Sequence, residues 1–290
     1  MAEILAVGIA TLDIIHWLKH YPEEDSEQRA EAQMLCRGGN ATNTLAVLSQ
    51  LGHQCHWAGV LADDAAASMI LQDLQRHAID FVHSETVHGA TSPVSLIVAS
   101  QQNASRTITH YRDLPEYSLA RFQQIELSRY DWLHVEGRDV TEVRGMLQHA
   151  RSQAPRLRIS LELEKPREDI ESLITFADVV MCSGVYARHH GDSSSDACVH
   201  RLHTRYPKVE FTCTWGSAGA SAIQPDGSVQ HAGAVCLEQV IDSRAAGDVF
   251  NAAYIDACLN ELSLQQRLQA AVVLAGRKCG QLGIDNLVNP

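Results

Sequence analysis

Short apolar runs alternate along the chain with longer amphipathic stretches. The run EILAVGIA (3–10) precedes ATNTLAVLSQLG (41–52), and YDWLHVEG (130–137) precedes TEVRGMLQHARSQ (141–153). The apolar runs have the length of buried strands, and the amphipathic stretches have helical periodicity. Regular alternation of strand and helix predicts βαβ units and a mostly parallel sheet. Two helices are predicted to close the chain, at roughly Ala245 to Asn260 and Ser263 to Gly280.

Two segments interrupt this alternation. Ser26 to Gly39 and Ser92 to Arg112 alternate polar and apolar residues, and the second contains the turn sequence Gln-Gln-Asn. This pattern is typical of exposed antiparallel strands, and the two segments could form a small sheet that projects from the main one. Such a sheet must cover a substrate, the main domain or the same sheet of a second subunit. We therefore predict one domain, residues 1–290, with a β lid formed by about 14–38 and 90–112.

Composition and charge narrow the class of partner. A 45% hydrophobic and 20% charged composition is that of a globular protein, and the net charge of −12 disfavours nucleic acid and anionic membranes, which bind basic surfaces. The start of the chain lacks a basic segment before its apolar run, and no apolar stretch approaches the roughly 20 residues of a membrane helix. We expect a cytoplasmic protein without a membrane or nucleic-acid partner.

Cysteine and histidine give no metal motif. The eight cysteines lie in apolar segments without a C-x-x-C pair, which favours reduced, buried thiols over disulfides or a zinc site. The fifteen histidines contain neither H-x-x-x-H nor H-E-x-x-H. These residues give no prediction of the metal ligands.

One acid stands where a helix is predicted to begin. In QVIDSRAAGDVFNAA (239–253), a strand and a tight turn lead into the helix, and Asp248 follows Ala-Ala-Gly. The free N–H groups and dipole of a helix N-terminus favour an anion, above all a phosphate, and small residues allow its close approach. Asp248 could then act as a base beside a phosphate being transferred. Taken alone, the pattern is more typical of an acid that caps the helix.

A second helix start carries polar side chains of another kind. In RGGNATN (37–43), Asn40 follows two glycines and Asn43 lies one turn further on. Two amides at a helix mouth suit a polyhydroxylated ligand, although an Asn N-cap after a Gly-Gly turn explains the motif equally well. Asp13, read as the end of the first strand, is a third candidate because ligands of open α/β sheets bind beyond the carboxyl ends of strands.

Taken together, these motifs resemble a known family. VGIATLD, RGGNATN, TWGSAGASAIQPDG and DSRAAGDVFNAA, in this order, look like the ribokinase-type carbohydrate kinases, and YPEEDSE, HVEGRDV and ELEKPRE resemble the ketohexokinase branch. The resemblance spans Ile4 to about Asn286 and implies a three-layer α/β/α fold with a small β-sheet lid. No G-x-x-x-x-G-K-[ST] motif is present, which argues against a P-loop kinase.

The resemblance also implies roles for individual residues. Asp248 would be the base that takes a proton from the primary hydroxyl of the sugar, and the amides of Ala245, Ala246 and Gly247 would form the anion hole. The sugar hydroxyls would bind Asp13, Gly39, Asn40 and Asn43. ATP would contact Arg106 and the loop of Gly216, Ser217, Ala218 and Gly219. Asp25 matches an acid that reaches the neighbouring subunit's site, which implies a homodimer through the lid.

The implied activity is transfer of the γ-phosphate of ATP to carbon 1 of a ketohexose such as fructose. Mg²⁺ and a monovalent cation such as K⁺ would be cofactors, with Glu136 and Glu164 as candidate acids in the magnesium surroundings. Arg244 replaces a residue that is usually uncharged in the family, and its charge either lies near the phosphates or points to solvent. The alternatives are a kinase of another sugar (ketodeoxygluconate, ribose or tagatose) and a non-catalytic sugar- or nucleotide-binding regulator.

Overall fold

The structure, a computed structural model, describes residues 1–102 and 105–288. Within these residues the main sheet has nine strands in the order β15-β14-β13-β12-β11-β10-β1-β4-β6. The β13–β14 and β14–β15 pairs are antiparallel, and the other neighbouring pairs are parallel. Its strands are β1 (Glu3–Val7), β4 (Gln54–Ala58), β6 (Ile79–Asp80), β10 (Trp132–Glu136), β11 (Arg158–Leu163), β12 (Val179–Cys182), β13 (Glu210–Thr214), β14 (Ala220–Ile223) and β15 (Val229–Ala232).

Helices cover both faces of this sheet. They are α1 (Asn40–Gln50), α2 (Ala65–Arg76), α3 (Leu119–Phe122), α4 (Val140–Gln153), α5 (Gly184–His189), α6 (Ser195–Arg205), α7 (Ala246–Leu259) and α8 (Leu264–Cys279). Short 3₁₀ helices span Leu127–Arg129, Ile170–Phe176 and Gly216–Ala218. Helices α7 and α8 confirm the two predicted closing helices, and each end lies within one residue of its predicted position. No helix in the described ranges is long and apolar enough to cross a membrane.

The core has one part on each face of the sheet, because alternate residues of a buried strand point to opposite sides. In β1, Leu5 and Val7 pack with the helices α4, α5 and α6, whereas Ile4 and Ala6 pack with α1, α2, α7 and α8. Helix α7 is apolar around most of its circumference because it lies against both α1 and α8. The three-layer α/β/α arrangement confirms the predicted fold class.

A separate four-stranded sheet has the order β3-β2-β8-β9. Its strands are β2 (Thr11–Leu18), β3 (Ala32–Gly38), β8 (Val94–Ser100) and β9 (Arg106–Tyr111), and a further two-stranded sheet pairs β5 (Val60–Ala62) with β7 (Glu85–Val87). The strands inside the two segments predicted as antiparallel do pair in this way, β8 with β9 and β3 with β2. The central pair of β2 and β8 is parallel, since the chain returns to the main sheet between them. The division of the chain into one domain and a lid at about 14–38 and 90–112 stays a prediction.

The position of Asp13 differs from its predicted one. Asp13 lies in β2, paired with Cys36 of β3 and Ser95 of β8, and not at the end of the first strand of the main sheet. The apolar run EILAVGIA continues almost without a break into TLDII, so the sequence does not mark where the chain leaves one sheet for the other. Asp13 therefore approaches the edge of the main sheet from the small sheet.

Candidate active site

A large cavity lies between the carboxyl ends of the main parallel strands and the inner face of the small sheet. Its volume is ≈ 670 Å³, within the usual range for small-molecule sites. The cavity brings together most of the predicted residues, which come from both sheets and from the starts of α1 and α7. Those that line it are Asp13, Gly39, Asn40, Asn43, Arg106, Ala245, Ala246, Gly247 and Asp248.

Helix α7 presents its N-terminus to this cavity. Ala245, the residue before the helix, has φ 57° and ψ 9°, and it makes no side-chain cap. The first N–H groups of a helix have no acceptor within it, so this turn offers donors at the positive end of the helix dipole. A left-handed backbone at a residue other than glycine is uncommon and is often found at functional sites. The turn has the form of an anion-binding site.

Asp248 lies in the first turn of α7 and is only 6% exposed. Its Oδ2 accepts a hydrogen bond from Nδ2 of Asn43 at 2.8 Å, which joins the starts of α1 and α7. Burial raises the pKa of Asp248 to about 7; the Asn43 hydrogen bond lowers it, and the charges of Glu164 and Glu136 add to the rise. A carboxyl with such a pKa can change protonation state near neutral pH, as a general base must.

The start of α1 depends on glycine. Gly39 has φ 105°, and a Cβ there would lie 2.2 Å from the carbonyl oxygen of Ile9. This close approach positions Asn40, whose Nδ2 donates to Oε1 of Glu162 at 3.1 Å. Asn251 of α7 donates to the same oxygen at 3.3 Å. The side-chain oxygen of Asn40 is thereby left to face other partners.

Glu162 and Asn251 line the cavity but were not predicted. Burial, together with the charges of Asp248, Glu136 and Glu164, raises the pKa of Glu162 well above its usual value. The signal was present in the sequence: Glu162 stands between two leucines in the strand RISLEL (158–163), and an acid is rarely buried without a specific environment. Asn251 offered a signal of the same kind, a polar residue inside a helix that is apolar on nearly all sides.

The two acids predicted near magnesium differ in their surroundings. Oε1 of Glu136 accepts hydrogen bonds from the backbone of Ile9 and Ala41 at 3.0 and 2.8 Å, so this side chain binds the protein itself. Glu164 lines the cavity, and its side chain is 41% exposed. In the described ranges no group of three or more His, Cys, Asp or Glu residues is arranged to hold a metal ion.

Arg244 does not point to solvent, and that alternative is therefore wrong. Its side chain is 15% exposed and pairs with both carboxylate oxygens of Asp242 at 2.8 and 2.9 Å. The guanidinium also lies 5.8 Å from the ring centroid of Trp17 in β2. Lys278 pairs with the same Asp242 at 2.9 Å. A cluster of two cations and one acid thus borders the turn before α7.

The remaining predicted residues lie around or beyond the cavity. Arg106, at the start of β9, donates from Nη1 to Oγ of Ser243 at 2.6 Å, so the small sheet contacts the turn before α7. Gly216 to Gly219 follow the carboxyl end of β13 but do not line the cavity. Asp25 is exposed in the loop between β2 and β3 and does not reach the cavity of its own chain.

The cavity combines a helix N-terminus that suits an anion with a buried carboxyl beside it and polar side chains for hydroxyl groups. On a doubly wound α/β fold, these are features of a phosphotransferase. The chain belongs to the pfkB family of carbohydrate kinases, whose family model matches residues 1–289. It is 36% identical to ketohexokinase of Mus musculus over 294 aligned residues, with 99% of each chain covered. The family membership makes it an ATP-using carbohydrate kinase.

Solved structures show the same fold. A ribokinase from Arabidopsis thaliana complexed with ribose and ATP superposes with a TM-score of 0.78 at 15% identity, with 97% of this chain and 94% of that chain covered. A ribokinase from Cryptococcus neoformans in complex with ADP gives a TM-score of 0.76 at 18% identity, with coverage of 99% and 97%. These similarities confirm the ribokinase-like fold.

Proposed function

We propose that this carbohydrate kinase transfers the γ-phosphate of ATP to the primary hydroxyl on carbon 1 of a ketohexose such as fructose. The observation that carries the proposal is the contact between Asn43 and Asp248 at the cavity, directly beside the uncapped N-terminus of α7. The 36% identity to mouse ketohexokinase over nearly the whole of both chains supports the choice of a ketohexose. The fructosamine kinase FrlD of Bacillus subtilis, 22% identical, places another ketose derivative among the substrates to be tested.

In the proposed reaction, Asp248 takes the proton of the carbon 1 hydroxyl. The hydroxyl oxygen forms a bond to the γ-phosphorus while the bond from that phosphorus to the bridging oxygen of the β-phosphate breaks, and ADP leaves with the electron pair. The amides of Ala245, Ala246 and Gly247 donate to the oxygens on which charge develops. These donors are already oriented by the start of α7, so no reorganisation is needed at the moment of transfer.

The sugar would bind between the small sheet and the start of α1. Asp13 faces the cavity from β2, with its Oδ1 held by the hydroxyl of Thr11 at 2.9 Å, and its second oxygen is available to a ligand hydroxyl. Gly39, Asn40 and Asn43 supply the opposite wall. Because Glu162 accepts from Nδ2 of Asn40, the oxygen of that amide is free to accept from the sugar.

ATP would lie beyond the sugar, along the turn before α7. Arg106 reaches this turn from β9 and would bind the phosphates, while the loop of Gly216, Ser217, Ala218 and Gly219 would border the nucleotide outside the cavity. Mg²⁺ would neutralise phosphate charge and be held mainly by phosphate oxygens and water, with Glu164, a partly exposed acid of the cavity lining, in its surroundings. Activation by K⁺ stays a prediction.

A homodimer through the small sheet completes the proposal. Asp13, Cys36 and Ser95 face the cavity, so their strand neighbours Ile14, Leu35 and Leu96 face outward. Leu35 is 42% and Leu96 54% exposed, and they lie on either side of Ile14 across the sheet. A second copy would cover this apolar face and place its Asp25 loop near the neighbouring site.

A substrate panel with Asp248→Asn tests the proposed function. We expect ADP release with fructose to exceed that with ribose, tagatose, ketodeoxygluconate and fructosamine, and carbon 1 to carry the phosphate in the product. Asp248→Asn should lower kcat by roughly 10²-fold to 10⁴-fold while ATP still binds. Full turnover in a folded Asp248→Asn protein would overturn the mechanism, and calorimetric sugar binding without any transfer would indicate a regulator instead.

A further inference from the structure

A chain of polar contacts runs from the surface of α2 to Asp248. Arg37, in β3, donates from Nε to Oδ1 of Asp73 at 2.7 Å and from Nη1 to Oδ1 of Asn43 at 2.9 Å. Asn43 in turn donates from Nδ2 to Asp248 at 2.8 Å. Arg76 anchors the outer end, because its Nη2 donates to Oδ2 of Asp73 at 2.7 Å. Four elements, β3, α1, α2 and α7, therefore meet in one network.

We propose that Arg37, anchored by Asp73, is a positioning residue for phosphoryl transfer. A guanidinium can only donate hydrogen bonds, so Arg37 requires an acceptor from Asn43 and fixes the amide with its oxygen turned toward Arg37. The NH₂ group of Asn43 must then face Asp248. Without Arg37 the amide can rotate and direct its oxygen at the carboxylate, which would favour the protonated form of Asp248 and remove the base.

Arg37 borders the cavity, but its side chain is almost fully buried and its hydrogen bonds go to protein groups. The side chain is 1% exposed, and the two contacts above account for its Nε and Nη1. Asp73 is well suited as an anchor: burial raises the pKa of Asp73, but the charge of Arg37 and the hydrogen bonds from Arg76 and Arg37 lower it overall. A buried ion pair is often no more stabilising than apolar residues of similar volume. The contact with Asn43 gives this pair a role beyond stability.

The charged groups around Asp248 determine how its pKa responds when Arg37 is removed. Glu136 at the end of β10, together with Glu162 and Glu164 in and after β11, opposes ionisation of Asp248, whereas Arg37 favours it. The pair of Asp242 with Arg244 and Lys278 lies on another wall of the same cavity. Removing Arg37 therefore removes one of the few nearby groups that hold the pKa of Asp248 down.

The test compares Arg37→Met and Arg37→Lys with the wild type, at saturating fructose and ATP across a range of pH. This inference rests on the proposed role of Asp248 as the base. We expect Arg37→Met to lower kcat by roughly 10-fold to 10²-fold, with the KM for ATP little changed, and to move the acid limb of the kcat profile to higher pH. Arg37→Lys should recover part of this shift by its charge but not the full kcat, because one ammonium group does not reproduce the fork geometry.

Arg151→Met is the matched control. Arg151 of α4 also pairs with an acid, Asp178, at 2.9 Å and is partly buried, but it lies away from the cavity. We expect this control to lower stability without moving the pH profile. If Arg37→Met does not fold, Asp73→Asn weakens the anchor instead and should cause a smaller shift in the same direction.

The outcomes separate this inference from the proposed function. A folded Arg37→Met protein, or in its place Asp73→Asn, with wild-type kcat and a wild-type pH profile would overturn the positioning role while inactive Asp248→Asn still supports the base. Full activity of Asp248→Asn would overturn both. A shift of the pH profile in the Arg151→Met control equal to that of Arg37→Met would also overturn the positioning role, because it would show a general effect of lost stability.

Discussion

Substitution of Asn43 by alanine should change the pH at which the enzyme works. The hydrogen bond from Asn43 to Asp248 is made to a carboxylate, and hydrogen bonds to charged groups contribute about 1.5–3 kcal/mol. Since one pKa unit corresponds to about 1.36 kcal/mol, its loss should raise the pKa of Asp248 by about 1–2 units. As the proposed base, Asp248 acts only when deprotonated, so activity is lost as pH falls through this pKa, and the substitution moves that loss to higher pH.

The expected loss of activity at neutral pH follows from the wild-type pKa of Asp248. With a wild-type pKa of about 7, Asp248 is half ionised at neutral pH. A rise of about 1–2 units leaves roughly 10% to 1% as carboxylate, so kcat at neutral pH should fall roughly 5-fold to 50-fold and recover in alkaline buffer. Measurement of kcat at saturating sugar, by coupled detection of ADP, avoids the weaker sugar binding that this substitution is also expected to cause.

Asn40→Ala is the appropriate comparison, because Asn40 lines the same cavity but contacts Glu162 and not Asp248. We expect Asn40→Ala to raise the KM for the sugar without moving the acid limb of kcat. An acid limb at the wild-type pH in Asn43→Ala would refute the reasoning, because it would mean that this hydrogen bond does not control the ionisation of Asp248.

Two further predictions concern the backbone at the helix starts. Ala245→Gly should stabilise the protein by about 0.5–1 kcal/mol, because relief of the left-handed φ of 57° outweighs the added freedom of the unfolded chain. A Tm about 2 °C higher by calorimetry would support this prediction, and a lower Tm would contradict it. Gly39→Ala should lower the free energy of unfolding by roughly 2–3 kcal/mol in urea titrations, because of its φ and the contact with Ile9. Gly52→Ala, at φ 90° with open space around it, should cost less, and equal losses would argue against the contact with Ile9.

Local patterns in the sequence predicted the parts of the site that follow strands or begin helices. Asp248 and Asn43 each stand at a predicted helix start, and the structure joins them by a hydrogen bond. The position of Asp13 could not be predicted in the same way. The chain passes from β1 to β2 through Gly8 to Ala10 without a polar break, so its pattern contains no sign of a change of sheet.

The functional residues that sequence reasoning missed have their partners on distant elements of the chain. Arg37 stood inside the motif RGGNATN, but its partner Asp73 lies 36 residues away on α2 and shows only as one polar position of an amphipathic helix. Glu162 could have been singled out as an acid in an apolar strand, whereas its amide partners come from α1 and α7. Such contacts are set by how the elements pack, which the local pattern of a single sequence does not encode.

The chain connections between the small sheet and the rest of the molecule all lie at one end of the sheet. Thr11, Gly38, Val94 and Tyr111 are the strand ends at its four connections, and the register places them at the same end of the sheet. Any rigid rotation of the sheet must therefore pivot about that end. Asp13 lies about 7 Å from the pivot, whereas Arg106 lies roughly 17 Å from it, at a rise of about 3.3 Å per residue. Because Arg106 is further from the pivot, its contact with Ser243 is far more sensitive to a given rotation than the position of Asp13. A small angular change would separate Arg106 from Ser243 while leaving Asp13 nearly in place.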